Sequence, residues 1–368
     1  MGRSRSQALW LAGSVSAVVL GCACGDSGTT GAGGGTSGTG GASTTTTSTG
    51  GAGGGGGAAI FVPTAADVDF EAVAPLPNGE QIVFNDWDAS PNEVLSMAPD
   101  GSGVTTVFRA FRIWSFGVSR STATIAFASG DPDQEAHYGL TLGDAIQPTF
   151  LYSVADETAT NLTAGNLNDE CHTFGPGDSY LYLCRRYDFA QDDTTVTNHG
   201  YRIGRVDLST KAFEYLTEED DASLTLSPQP TPDESEIVFD RIPIPGTRKV
   251  VRRAMSGGAE TPVKSSAGFA VLSTDGATLL VSDFTQMGSI VAIDAIGNET
   301  VVVDGPNVSS AKISPDGTRI VFTRWDDDLS CSHVEIAALD GSEAATPTRI
   351  YDCGTSGRNI TDVAWITH

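Results

Sequence analysis

The chain has 368 residues, with 21 Lys plus Arg against 46 Asp plus Glu for a formal charge of −25, together with 43 Gly and 6 Cys. Its basic leader takes Arg3 and Arg5 with it when removed, leaving 19 basic against 46 acidic side chains, close to −27. Such a field repels phosphate backbones and anionic lipid heads, which excludes nucleic acid as a partner and leaves membrane attachment to acyl chains.

In chain order, Arg3 and Arg5 precede an apolar stretch from Ala8 to Leu20, about 13 residues and too short to span a bilayer. It ends in Val19-Leu20-Gly21-Cys22, which resembles the lipobox of bacterial lipoproteins, where a small residue precedes a Cys that is diacylated and becomes the mature N-terminus. The resemblance implies a signal peptide over 1–21, lipidation of Cys22 and, with Ala23 following, release to the outer membrane facing periplasm or exterior. Ordinary secretion with cleavage elsewhere is the alternative. From Ser27 to Ala59 the chain is almost only Gly, Ser, Thr and Ala, a composition that cannot bury enough surface to fold. Residues 22–59 therefore read as the anchor and a disordered tether with a span on the order of 30 Å, and 60–368 as the folded domain.

Within that domain one phrase recurs six times. Ile313-Ser314-Pro315-Asp316-Gly317-Thr318-Arg319-Ile320-Val321-Phe322 is the clearest copy. Others begin at Pro75, Ser119, Phe174, Pro232 and Ser273. Pro presets φ and Asp-Gly or Asn-Gly supplies φ > 0, so each phrase predicts a tight turn feeding a buried strand. Turn to turn, from Gly79 through Thr122, Asp178, Glu234 and Gly276 to Gly317, the spacing runs from about 41 to 56 residues, the period of propellers. Long amphipathic helices are missing. The reading is all-β: a β-propeller of four-stranded blades, six complete, with spare strands at Ala58 to Val62 and Asn359 to Thr367 that either close the ring or form a thin seventh blade.

The phrase S-P-D-G-x-x-I-V-F, followed by a strand, Asp340-Gly341 and another strand, resembles the WD40-like (PD40) repeat of TolB-type bacterial propellers over roughly Asp67 to Ile366. The resemblance implies the fold. Leader and tether occupy the first 59 positions, so no counterpart of TolB's separate N-terminal α/β domain is expected, and TolB's role is not transferred.

Cysteine placement predicts two disulfides and an oxidising compartment. Counting outward from Gly177-Asp178 pairs Phe174 with Leu181, Thr173 with Tyr182 and His172 with Leu183, which sets Cys171 opposite Cys184, within disulfide reach. Cys331 and Cys353 bracket the strands Val334 to Leu339 and Thr348 to Tyr351. A Cys/His metal site with His172 and His333 is the competing reading, without the C-x-x-C spacing of strong zinc signals.

In a blade, first-to-second turns share one face, and second-to-third loops and interblade links share the other. The second face holds two long insertions, Ser129 to Thr149 and Arg185 to Gly200, and long loops in compact domains are usually functional or disordered. They supply Asp131, Asp133, His137, Tyr138, Arg186 and Tyr187 as binding candidates, joined by Trp87 and Trp325 at matching places in blades one and six. Glu170, His172 and Arg185 are the catalytic candidates near the channel. The acids Glu218 to Asp221 and Asp326 to Asp328 raise Ca²⁺ as a ligand, yet no D-x-D-x-D-G loop is present, and no cofactor is expected. No G-x-S-x-G elbow occurs. The sequence thus predicts a monomeric, lipid-anchored binding or scaffolding module for a protein or glycan. The alternative is a polysaccharide lyase or glycosidase.

Overall fold

The computed structural model describes residues 62–87, 89–133, 147–163, 168–186, 200–218, 223–286, 288–356 and 358–368. Cys22, the leader, the tether and the candidates His137, Tyr138 and Tyr187 lie outside the described residues.

Local chemistry sets each repeat. In Ser314-Pro315-Asp316-Gly317 the Ser314 hydroxyl donates to the Asp316 carboxylate at 2.6 Å and accepts from Arg319 N–H at 2.9 Å, while Thr318 N–H donates to the same carboxylate at 3.1 Å. Ser273 with Asp275 and Thr231 with Asp233 repeat the hydroxyl–carboxylate bond at 2.6 and 2.7 Å. The residue after the Asp is left-handed, which suits Gly317 at φ +71° and costs Glu234, at φ +54°, the strain of a side chain there. The Ser314 bond, followed by the Thr318 bonds, holds the Asp316 carboxyl down to about 2.

Strand β1 (Glu71–Ala72) precedes β2 (Glu80–Asp86), β3 (Asn92–Met97) and β4 (Thr105–Ala110). Blade two is β5 (Ile113–Val118), β6 (Thr124–Ser129), β7 (Thr149–Ser153) and β8 (Thr158–Asn161). Blade three is β9 (Asp169–Phe174), β10 (Tyr180–Arg186), β11 (Tyr201–Asp207) and β12 (Phe213–Tyr215). Blade four is β13 (Ser223–Pro230), β14 (Glu236–Pro243), β15 (Lys249–Ala254) and β16 (Thr261–Ser265). Blade five is β17 (Ala267–Leu272), β18 (Thr278–Asp283), β19 (Ser289–Asp294) and β20 (Glu299–Val303). Blade six is β21 (Val308–Ile313), β22 (Arg319–Asp326), β23 (Cys331–Ala338) and β24 (Thr348–Tyr351). The last strand, β25 (Ile360–Thr367), crosses back to pair antiparallel with β2 and takes the inner place of blade one. That decides for six blades over seven. The expected N-terminal spare strand at Ala58 to Val62 lies, but for Val62, outside the described residues; β1 adds to the outer edge of blade one against β4.

The core is divided among the wedges between blades. Val83 joins Phe108, Phe127, Phe150 and Tyr152 between blades one and two, whereas its neighbours Ile82 and Phe84 join Val334 and Tyr351 between blades one and six. With both faces of the second strand covered, alternation disappears and the strand reads as a continuous apolar run. Four further clusters fill the remaining wedges. Among the described residues no helix is long and apolar enough to cross a membrane. Cys331 and Cys353 form a disulfide with Cα atoms 6.0 Å apart.

Candidate functional site

The six inner strands, β25, β5, β9, β13, β17 and β21, touch in sequence round the channel. Each carries a bulge within one residue of the same place, the first two blades one step out of line with the other four: Thr361-Asp362, Trp114-Ser115, Cys171-His172, Ser227-Pro228, Phe269-Ala270 and Ser310-Ala311 all oppose a single residue of the second strand. Cys171, Ser227, Phe269 and Ser310 are left-handed there, with φ from +47° to +58°. A bulge re-aims side chains and bends the strand, and here it recurs just inside the face that bears the longer loops.

This bulge overturns one expected disulfide. It inserts a residue into β9, so Cys184 lies opposite Glu170 and not opposite Cys171. Both cysteines are free. Cys184 is buried, and its thiol is raised well above the ordinary range, chiefly by burial and then by a hydrogen bond with Cys171.

The catalytic candidates sit together in blade three, each engaged with its neighbours. His172 is 6% exposed; its Nδ1 is 3.0 Å from the Ser115 hydroxyl of blade two and its Nε2 2.9 Å from Thr149 Oγ1. Thr149 also donates to Asp169 at 3.2 Å, and Ser115 accepts Cys171 N–H at 3.2 Å. One assignment satisfies every group: Ser115 donates to Nδ1, and Nε2–H donates to Thr149. Burial pushes the imidazole down to about 4 against the opposing pull of Asp169, so it is neutral and a weak base at neutral pH. Gly117 lets β5 lie this close, because a Cβ there would sit 2.5 Å from the His172 carbonyl oxygen. Arg185 grips Asp169 through two bonds of 2.6 and 2.9 Å and lies 3.7 Å over the Phe213 ring. Asp169 is fully buried and also accepts from Thr163 at 2.7 Å. Glu170, 4% exposed, accepts from Tyr201 Oη at 3.1 Å.

The binding candidates divide. Trp87 and Trp325 do occupy equivalent places, each donating its backbone N–H to the residue ahead of an inner strand, Asn359 at 2.8 Å and Asn307 at 2.9 Å. Their rings part company: Trp87 packs edge-on against Trp114 at 4.4 Å, and Trp325 has no aromatic partner among the described residues. Asp131 is 1% exposed and caps Asp133 N–H at 2.8 Å, and Arg186 is likewise buried, so neither presents a free surface. Of the acids weighed for Ca²⁺, Asp326 caps the N–H groups of Asp328 and Leu329, and Asp327 accepts from Asn307.

Residues that sequence reasoning passed over complete the loop-bearing face. Ile244, Phe284 and Leu329 follow the second strands of blades four, five and six and are 43%, 42% and 50% exposed. Phe284 stands edge-on to Phe269 at 6.2 Å, and Arg248, bound to the buried Asp240, lies 4.1 Å over Phe269. Asp362 on β25 has its pKa raised by burial, with Lys312 on β21 pulling the other way. On the opposite face the turns lock to one another. Asp178 accepts the N–H groups of Arg120 and Ser121 at 2.8 and 2.9 Å, and Arg120 reaches from blade two to the Thr274 carbonyl of blade five at 3.3 Å.

No protein-family model matches this sequence, and no curated protein matches it. Solved structures do. TolB from Acinetobacter baumannii is 17% identical over 80% of this chain and 68% of its own, with a TM-score of 0.56. Hydrazine synthase from Kuenenia stuttgartiensis is 9% identical over 79% of this chain, which spans 47% of that protein's chain, with a TM-score of 0.57. A chain of a nidogen/laminin complex is 9% identical over 78% of this chain and 98% of its own, with a TM-score of 0.54. At such identities the likeness is one of fold: the chain is a six-bladed β-propeller of the kind that TolB contains.

Proposed function

We propose that this chain is a lipid-anchored extracytoplasmic protein whose propeller binds a protein partner through its loop-bearing face. The observation that carries the reading is the set of exposed apolar residues, Ile244, Phe284 and Leu329, in the loops that follow the second strands of three successive blades. A binder calls for such a surface, and a lyase or glycosidase calls for acidic and basic groups converging on open space. Glu170, His172 and Arg185 are buried and engaged with Tyr201, Ser115, Thr149 and Asp169, which gives the enzymatic reading no comparable support. The lipobox-like Val19-Leu20-Gly21-Cys22 and the Gly-rich run to Ala59 supply the anchor and the reach. A chain of similar fold stands in the nidogen/laminin complex, a propeller caught with a protein.

The test is affinity capture from solubilised envelopes with the tagged full chain, comparing wild type with Phe284→Ala plus Leu329→Ala and with the turn-face variant Asp233→Ala. The loop-face pair is expected to weaken capture of one reproducible protein at least tenfold, the scale of interface hot spots at about 2 kcal/mol each. Asp233→Ala leaves it intact. Capture that is indifferent to Phe284 and Leu329, or a chain that stays membrane-bound after Cys22→Ala, sinks the corresponding half of the reading.

A further inference from the structure

The disulfide corner of blade six holds more than the disulfide. His333, on β23, has no exposed surface. Its Nε2 is 3.1 Å from Asp326 Oδ2 and its Nδ1 is 3.5 Å from Asp352 Oδ1. Cys353 donates its backbone N–H to Nδ1 at 3.2 Å, and its Sγ lies 4.0 Å from Nε2. The ligand-type atoms of His333, Asp352 and Cys353 all fall within 4.8 Å of one another, and the disulfide sets the Cys331 sulfur beside them.

We propose that reduction of Cys331–Cys353 converts this corner into a zinc site, with the two thiolates, His333 and Asp352 as ligands. With Nε2–H donating to Asp326, Nδ1 carries the lone pair, 3.5 Å from a carboxylate oxygen of Asp352. In the oxidised chain backbone donors satisfy both acceptors, the Cys353 N–H on Nδ1 and the Gly354 N–H on Asp352 Oδ1 at 2.8 Å. Opening the bond frees Cys353, at the start of the short helical turn Cys353–Ser356, to withdraw its N–H and offer its sulfur. The Asp326–His333 bond then has the form of the outer carboxylate that orients a metal-bound imidazole. Tetrahedral zinc keeps its ligand atoms roughly 3.3 to 3.8 Å apart; Nδ1 and Asp352 Oδ1 stand at 3.5 Å already, while the Cys353 sulfur, 4.0 Å from Nε2, has to swing to the Nδ1 side once the bond opens, and two thiolates with an imidazole favour zinc over a hard cation such as Ca²⁺. Bonded sulfurs cannot both ligate at that spacing, so disulfide and metal exclude each other. In the conversion a dithiol donor gives two electrons and two protons to the S–S bond and is itself oxidised to a disulfide. Zinc then displaces both thiol protons to solvent.

Cobalt(II) titration of the full chain, oxidised and reduced, tests this directly, since thiolate-to-cobalt charge transfer reports sulfur ligation whatever the activity. The reduced chain is expected to bind one equivalent with a charge-transfer band that zinc abolishes, and the oxidised chain none. Asp326→Asn should weaken binding roughly ten- to a hundredfold, His333→Ala should remove the band, and Cys171→Ser should leave it unchanged. A reduced wild-type chain without the band overturns the proposal, and so does a band that survives His333→Ala or the pair Cys331→Ser with Cys353→Ser. The redox comparison uses the unaltered chain, so it decides even where a variant fails to fold.

Discussion

Blades three and six each hold two cysteines, and only blade six joins its pair. In blade three Cys171 lies within the bulge of the inner strand, which moves Glu170 into the place opposite Cys184. In blade six the bulge falls at Ser310-Ala311, while the cysteines sit on the third strand and beyond the fourth. The same distortion is present in both blades. It matters to a cross-link only where a cysteine rides on the distorted strand. The two blades are accordingly held by different means, one by a chain of buried polar groups, the other by a covalent staple.

Breaking the polar chain should cost most. Arg185→Ala leaves Asp169 buried without its cation, and loss of one partner of a buried pair costs about 3–5 kcal/mol. Urea unfolding would show it, and a loss below about 1 kcal/mol would mean that blade three does not depend on the pair. Next comes the staple. Replacing Cys331 and Cys353 with Ser opens a link across 22 residues of sequence, worth about 3 kcal/mol. The variant should be indifferent to reductant while wild type is weakened by it; equal sensitivity of both would contradict the free state of Cys171 and Cys184. The third test is pH. His172 is held at about 4 in the folded chain and returns to about 6.5 when unfolded. The unfolded state therefore takes up a proton that the folded state refuses as pH falls below about 6.5, and stability declines until about pH 4. At pH 5 the deficit is about 2 kcal/mol. His172→Gln should flatten that part of the profile, and an unchanged slope would assign the acid sensitivity elsewhere.

How far the sequence was legible follows from the same contrast. Turns were readable because their chemistry is local: Ser314, Asp316 and Gly317 solve one another's bonding needs within a few residues. The continuous apolar runs marked second strands because both faces are buried. The bulge left no such mark. Its residues, Trp114, Cys171, Ser227, Phe269, Ser310 and Thr361, share no common side-chain type beyond the two Ser. Counting pairs outward from a turn therefore goes wrong at this point, as it did for Cys171. The equivalence of Trp87 and Trp325 was visible in sequence, but the partner of Trp87 is Trp114, the second residue of the inner strand of blade two, and only packing shows that. Ile244, Phe284 and Leu329 carried no motif, and their exposure comes from where the second strands end.

The return of β25 to blade one has a consequence in time. Asn85 hydrogen-bonds Thr361 at 3.0 Å across 276 residues of sequence, so the first blade to emerge from synthesis is the last to be finished. Until Ile360–Thr367 arrives, β2 offers an open edge of unpaired backbone to any strand nearby, and closure waits on the slowest, most distant pairing in the chain. That edge must stay shielded until the last strand is made, so the unfinished ring depends on whatever guards unfolded chains around it.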